Sequence, residues 1–139
     1  MFGKSIIKKI SVISLLVVFS LSGAGLASPA NITRIAVASE GQTATAAVGS
    51  VAARSLYFLI FDGSGKLVES ISNPHQKARS GASSLVVNLL SQHGVHVFIS
   101  QAFGEKMADA LKTKGIEHFE SKGSAADAVK RYLNLIASK

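Results

Sequence analysis

Hydrophobic positions along the chain follow two different periods. Between residues 32 and 71 the apolar residues form short runs or alternate with polar ones, which is typical of β-strands. Beyond Gly81 they recur every three or four positions in three segments, which predicts amphipathic helices separated by short buried strands. The predicted strands are 32–38, 55–61, 66–71, 95–99 and 116–119, and the predicted helices are 82–92, 104–114 and 125–136.

Turn and capping residues mark the ends of these segments. Residues 62–65 (Asp-Gly-Ser-Gly) predict a hairpin between the second and third strands. The Asn-Pro pair at 73–74 ends the third strand, because proline has no N–H to donate to a neighbouring strand. Ser124, followed three residues later by Asp127, resembles a capping box. The stretch 42–54 is rich in small residues without a clear period, and we expect a loop with one turn of helix there.

The element order β-β-β-α-β-α-β-α predicts a mixed α/β sheet. An antiparallel hairpin is followed by two crossover connections, which are right-handed in nearly all proteins. With the first strand between the hairpin and the crossovers, the strand order is 3-2-1-4-5 and only the second strand is antiparallel to the rest. We therefore predict a ribonuclease-H-like fold, a five-stranded mixed sheet with three helices, in one domain over residues 32–137.

The N-terminal segment has the pattern of an export signal. Three lysines precede an apolar run over residues 10–21, and small residues follow. We predict a signal peptide over residues 1–27, with cleavage after Ala27 or Ala30, and a periplasmic or secreted mature protein. The alternative is an uncleaved anchor, because residues 10–27 are about long enough to cross a bilayer. On either interpretation, contact with the membrane is confined to this segment.

Composition excludes several classes of function. The chain has no cysteine, which rules out disulfides, thiolate metal ligands and a thiol nucleophile. Residues 1–27 contain three lysines and no acidic residue, so removing them lowers the formal net charge from +7 to +4. This modest charge does not favour a nucleic-acid partner. The acidic residues that the fold brings near one edge, Glu40, Glu120 and Asp127, are too scattered for two-metal nuclease chemistry. We therefore predict that the protein is not an enzyme.

The order and spacing of several short motifs resemble one known family. The matching residues are 57–62 (Tyr-Phe-Leu-Ile-Phe-Asp), 73–74 (Asn-Pro), 81–82 (Gly-Ala), 89–90 (Leu-Leu), 94–99 (Gly-Val-His-Val-Phe-Ile), Gly104, Leu111 and 115–116 (Gly-Ile). Over residues 32–136 the sequence resembles the dinitrogenase iron–molybdenum cofactor-binding domain family, which includes nitrogenase cofactor carriers and orange proteins.

This resemblance implies a non-enzymatic carrier with a ribonuclease-H-like fold. The implied ligand is an anionic, molybdenum-containing metal–sulfur cluster, of either the iron–molybdenum cofactor or the thiomolybdate–copper type, and the implied partner is a protein that receives the cofactor. Family members commonly carry a His-Phe-Gly-Arg-like segment before the second strand. Here residues 51–54 are Val-Ala-Ala-Arg, so only Arg54 is kept. The alternative is therefore an exported protein-interaction module of the same fold that has lost cluster binding.

The predicted topology also indicates where a ligand binds. Three helices begin at the edge where the parallel strands end, and their unpaired N–H groups and dipoles favour anions there. We expect the loop over residues 73–81 to be the main contact. The predicted cofactor-binding residues are Arg54, His75, Lys77, Arg79, Gly81 and Gly104.

The histidines have no spacing typical of a metal motif. His75 is the one predicted metal ligand, because it lies on the 73–81 loop. His93 lies near the C-terminus of the first helix, where we expect a positive charge to interact favourably with the helix dipole. We expect His96 to be packed within the fourth strand.

Overall fold

The computed structural model describes residues 33–139. The predicted signal segment, 1–27, lies outside the described residues. The observed strands are β1 (Ile35–Ser39), β2 (Tyr57–Phe61), β3 (Leu67–Ser72), β4 (Val97–Ser100) and β5 (Glu117–Glu120). The helices are α1 (Ala82–Gln92), α2 (Glu105–Thr113) and α3 (Ala125–Ala137), with a short 3-10 turn at Ala52–Arg54. Within residues 33–139, no helix combines the length and apolar character needed to span a bilayer.

The five strands form one sheet in the order β3-β2-β1-β4-β5, which confirms the predicted topology. β2 pairs antiparallel with both β1 and β3, whereas β4 pairs parallel with β1 and β5. The strand boundaries differ from the prediction by at most three residues. Val95 and Ile116, predicted to begin strands, are buried just ahead of β4 and β5.

Helices cover both faces of the sheet, so its central strands are buried on both sides. α1 and α2 pack on one face around Phe58 and Phe98, whose rings meet edge to face with centroids 5.6 Å apart. α3 packs on the other face against Leu59 and Ile99. Every residue of β1 is buried, including its terminal Ser39. Burying one large apolar side chain of this kind contributes about 1.5–3 kcal/mol, so this two-sided core holds the helices in place.

The β2–β3 hairpin closes where the sequence predicts it. The Asp62 carboxylate accepts hydrogen bonds from the Ser64 hydroxyl (2.6 Å), the Ser64 N–H (2.9 Å) and the Lys66 N–H (3.0 Å). The hydroxyl bond, together with the backbone bonds from Lys66 and Ser64, lowers the pKa of Asp62 below its usual value. This exposed turn lies at the opposite end of the sheet from the starts of the helices.

The outer strand β5 is held to α3 by a hydrogen bond between side chains. The Tyr132 hydroxyl donates to Glu117 Oε1 at 2.8 Å. Burial of the ring, followed by this bond and the carboxylate's charge, raises the pKa of Tyr132 to about 12. Tyr132 therefore loses its proton less readily in the folded chain than in the unfolded one.

This shift predicts a loss of stability in alkali. A tyrosine whose pKa is raised on folding stabilises the fold below its unfolded pKa of about 10, and that contribution disappears as the pH rises through about 12. We expect Tyr132→Phe to lower the free energy of unfolding near neutral pH by about 1 kcal/mol and to reduce its decline above pH 10. Urea unfolding at several pH values measures both effects. Tyr57 is the other tyrosine of the chain, so in an absorbance titration of the variant Tyr57 is the one tyrosine that still contributes a signal. This account would be contradicted if the free energy of unfolding of Tyr132→Phe declined above pH 10 as steeply as that of the wild type.

Candidate functional site

A segment of small residues crosses the edge of the sheet where the helices begin. We call residues 40–51 the strap. Val48 forms a bridge with the last residue of β1. The Gly49 carbonyl accepts hydrogen bonds from the Gln101 N–H (3.0 Å) and the Ser100 hydroxyl (3.1 Å), and Gln101 Nε2 donates to the Val48 carbonyl (2.9 Å). The strap therefore covers the crevice above the ends of β1 and β4.

The strap also closes the N-terminus of α3. The first three N–H groups of this helix donate to the carbonyls of Ala46 and Ala44 and to the side chain of Ser124, at 2.9, 2.8 and 3.2 Å. These bonds supply the acceptors that the first turn of a helix lacks. The expectation of three open helix N-termini is therefore wrong for α3, because the chain's own carbonyls occupy it.

The N-termini of α1 and α2 border a single open cleft of about 700 Å³. Their N-cap residues, Gly81 and Gly104, have no side chain with which to cap the helix. The N–H groups of residues 82–84 and 105–107 precede the first helical hydrogen bonds, which run from Leu85 and Ala108 back to the two glycines. The cleft is lined by Val51, Ala52, Ala53, Arg54, Arg79, Ser80, Gly81, Ala82, Ser83, Ser84, Gly104, Glu105, Lys106 and Met107.

Four of the six predicted contact residues, Arg54, Arg79, Gly81 and Gly104, line this cleft. The other two, His75 and Lys77, belong to the β3–α1 loop (residues 73–81) but are not among the residues that line the cleft. Lys77 is exposed, and His75 is half-buried. The structure thus concentrates the candidate site at the two helix N-termini and at one end of the loop.

The charge of the cleft favours an anion. Among residues 33–139, its charged lining residues are Arg54, Arg79, Lys106 and Glu105. Three are cations and one is an acid. Two helix N-termini, each carrying a partial positive charge, add to this field. Met107 also lines the cleft, from a buried position in the core.

Arg54 makes contacts that the sequence did not reveal. Its Nη1 donates to the carbonyls of Gln76 and Ala78, at 2.8 and 2.7 Å. Asn73 bonds in the opposite direction, because its Nδ2 donates to the carbonyls of Ala53 (3.0 Å) and Ser55 (2.9 Å). Asn73 Oδ1 also accepts from the N–H of His75 at 2.9 Å, forming a turn around the proline. In the sequence, the Asn-Pro pair indicated the end of the third strand but not these cross-linking hydrogen bonds.

The two N-cap glycines have different backbone requirements. Gly81 has φ +70°, a left-handed conformation that other residues adopt at a cost. Gly104 has φ −70° and ψ 163°, which any residue can adopt, and nothing lies within 4 Å of where its Cβ would be. Ser124 has nearly the same angles, φ −81° and ψ 156°, and its side chain caps α3. The fold therefore does not require glycine at 104.

The other histidines have structural roles or lie outside the cleft. His96 is exposed just before β4, and its Nδ1 accepts the Arg34 N–H at 3.0 Å, so the expectation that it is packed within the strand is wrong. His93 is the C-cap of α1, and its Nδ1 lies 3.4 Å from Glu69 Oε2. Among the described residues, no three His, Asp or Glu side chains are grouped so that they could hold a metal ion. His75 therefore belongs to no such group of three in that range.

Comparison with known proteins assigns the chain to a family. The model of the family described as dinitrogenase iron–molybdenum cofactor matches residues 32–135. The chain belongs to this family. The match spans the entire sheet and most of α3, so it includes the cleft and the strap. Among curated proteins, no match was found.

Solved structures share the fold of this family member. The orange protein of Desulfovibrio gigas, in its apo form, is 26% identical with a TM-score of 0.70, covering 74% of this chain and 88% of its own. A Thermotoga protein provisionally assigned as NifB is 26% identical with a TM-score of 0.64, covering 73% and 88%. A Methanocaldococcus jannaschii protein provisionally assigned as a dinitrogenase is 17% identical with a TM-score of 0.51, covering 75% and 89%. This last likeness shows the fold alone.

The contrast between the two glycines predicts opposite effects on stability. Gly104→Asp is expected to raise the free energy of unfolding by about 0.5–1 kcal/mol, because a carboxylate in this geometry caps α2 and complements its dipole. Gly81→Ala is expected to lower the free energy of unfolding by about 1 kcal/mol, because the left-handed conformation is sterically unfavourable for alanine. Thermal and urea unfolding of both variants check this pair. Destabilisation by Gly104→Asp would contradict the open geometry at this position.

Proposed function

We propose that this family member is an exported, non-enzymatic carrier of an anionic metal–sulfur cluster that contains molybdenum, with or without copper or iron. The family match over residues 32–135 supports the ligand class. The observation that carries the proposal is the cleft, where two uncapped helix N-termini converge with Arg79 and Lys106. The orange protein's likeness in fold over most of its length adds support.

The donors of the cleft suit an anion held from outside its metal shell. Backbone N–H groups and guanidinium nitrogens donate hydrogen bonds to the peripheral sulfur or oxygen atoms of an anionic cluster. The chain has no cysteine, so it offers no thiolate to the metals. Arg79, Lys106 and the amides of residues 82–84 and 105–107 would hold the ligand. A cluster bound in this way keeps its own metal–sulfur bonds and can be passed on intact to a receiving protein.

The size and single acid of the cleft also favour binding over catalysis. A volume of about 700 Å³ lies in the ordinary range for small-ligand sites. Glu105 is the one carboxylate among its lining residues in the described range. Hydrolysis assisted by two metal ions needs several carboxylates at one place. The arrangement supports a role in sequestration or delivery.

A direct test is metal analysis combined with ligand titration. We expect anaerobically purified protein to contain near-stoichiometric molybdenum, or the metal-free protein to bind tetrathiomolybdate in a saturable way. Arg79→Ala, which removes a cation from the cleft, is expected to weaken tetrathiomolybdate binding about fivefold or more. Calorimetry or absorbance titration measures the dissociation constant.

Lys77→Ala is the matched control, because it removes the same charge from the same loop outside the cleft lining. We expect it to change the affinity less than twofold. Gly104→Asp should bind at least as weakly as Arg79→Ala, since its carboxylate competes for the α2 amides and repels an anion. Protein that contains no metal and takes up no tetrathiomolybdate would overturn the carrier function.

Export rests on the N-terminal sequence and has its own test. We expect the mature chain, expressed from its own gene with its native N-terminus, to be recovered from the periplasm or medium. Intact-mass analysis should show that it begins at Ser28 or Asn31, after cleavage at Ala27 or Ala30. An intact N-terminus in the membrane fraction would support the uncleaved anchor instead.

Two sequence features favour a second candidate, a protein-interaction module that has lost cluster binding. Val51, Ala52 and Ala53 stand where the family resemblance implies a histidine-containing segment, and the chain lacks cysteine. In the structure these residues form an apolar wall of the cleft. The same titration separates the candidates, because the module requires a folded protein that does not bind tetrathiomolybdate.

A further inference from the structure

A reciprocal set of hydrogen bonds joins the β3–α1 loop to the 3-10 turn. Arg54, in the turn, donates to two carbonyls of the loop, those of Gln76 and Ala78. Asn73, in the loop, donates to the two carbonyls that flank Arg54 along the chain, those of Ala53 and Ser55. Each segment thus supplies a two-pronged donor to the backbone of the other, so neither moves without breaking several bonds.

This cross-link orders a loop that lacks regular secondary structure. Within the loop, the Ala78 N–H donates to the His75 carbonyl at 3.1 Å, and Arg54 holds the Ala78 carbonyl just before Arg79 and Gly81 enter the cleft. The guanidinium bonds neutral carbonyls, so its charge is not cancelled by them. Arg54 is therefore available for two different roles, as a positive charge near a ligand or as a brace that fixes the loop.

We propose that Arg54 is a positioning residue that holds the β3–α1 loop in the conformation in which Arg79 and the start of α1 face the ligand. Both bonds come from Nη1, at 2.8 and 2.7 Å. A lysine Nζ lies one bond closer to Cα and has no plane that directs its N–H groups, so lysine does not reproduce this pair of bonds. When the loop is disordered, a ligand must order it on binding. The apparent affinity of the ligand is then the intrinsic affinity multiplied by the fraction of molecules whose loop is already ordered. The effect on affinity rests on the proposed function, but the effect on the ligand-free loop does not.

Hydrogen exchange in ligand-free Arg54→Lys tests the brace alone. We expect the amides of His75 and Ala78 to exchange about tenfold faster, because the bonds that protect them depend on loop order. The amide of Lys66, held by Asp62 at the opposite end of the sheet, is the internal control and should not change. Asn73→Ala removes the other half of the cross-link and should accelerate exchange at Ala78 in the same way. Unchanged exchange at Ala78 in both folded variants would overturn the proposal.

Tetrathiomolybdate titration separates the brace from a charge contact. We expect Arg54→Lys to bind about fivefold more weakly although its charge is kept, with an unchanged dependence of the dissociation constant on ionic strength. Lys77→Arg, a conservative exchange on the same loop outside the cleft lining, should stay within twofold of the wild type. If Arg54→Lys binds like the wild type while Arg54→Gln binds weakly and with reduced salt dependence, Arg54 acts as a charge and the proposal is wrong. If the wild type binds nothing, the proposed function fails and the exchange experiment decides on the brace.

Discussion

The first N–H groups of an α-helix have no acceptors within the helix, and in this chain three helices begin at one edge of one sheet. The three helices differ in whether other parts of the chain supply these acceptors. At α3 the strap and Ser124 supply acceptors, and the helix becomes part of a closed surface. At α1 and α2 the N-caps are glycines, and the amides remain open to the cleft. The N-terminus of α3 is thus closed because other parts of the chain accept its hydrogen bonds, whereas the N-termini of α1 and α2 leave theirs for a ligand or for water.

The rest of the site follows from where the open amides lie. α1 and α2 pack side by side on one face of the sheet, so their N-termini meet, while α3 lies on the opposite face. The 3-10 turn forms one wall of the resulting cleft, and the last residues of the β3–α1 loop, 79–81, line another part of it. The amides of residues 82–84 and 105–107 therefore lie at the same cleft as the side chains of Arg79 and Lys106.

Local patterns were sufficient to predict the fold. The hairpin at 62–65 and the helix ends could be predicted because hydrophobic period, glycine and proline act over a few residues. The strand order followed from the element order, the handedness of crossover connections and the placement of the first strand between the hairpin and the crossovers. Four of the six predicted site residues line the cleft, since helix N-termini and their loops follow from topology. The strap could not be predicted, because its bonds join main-chain atoms of residues with no side-chain signature. The hydrogen bonds of Arg54 and Asn73 could not be predicted either, because their partners are carbonyls about 20 residues away along the chain. His96 was misplaced because a residue one position before a strand has the same apolar neighbours as one within it.

The strap also constrains the order in which the chain can fold. Gly49 accepts from Ser100 and Gln101, about 50 residues further on, and Ala44 and Ala46 accept from the start of α3, about 80 residues further on. Closing such long loops costs chain entropy before any contact is gained, and contacts of this range slow folding. During synthesis from the N-terminus, the strap waits for partners that are made much later. Until then these carbonyls have only water as a partner, so the closed part of the edge cannot form before the start of α3 has been synthesised.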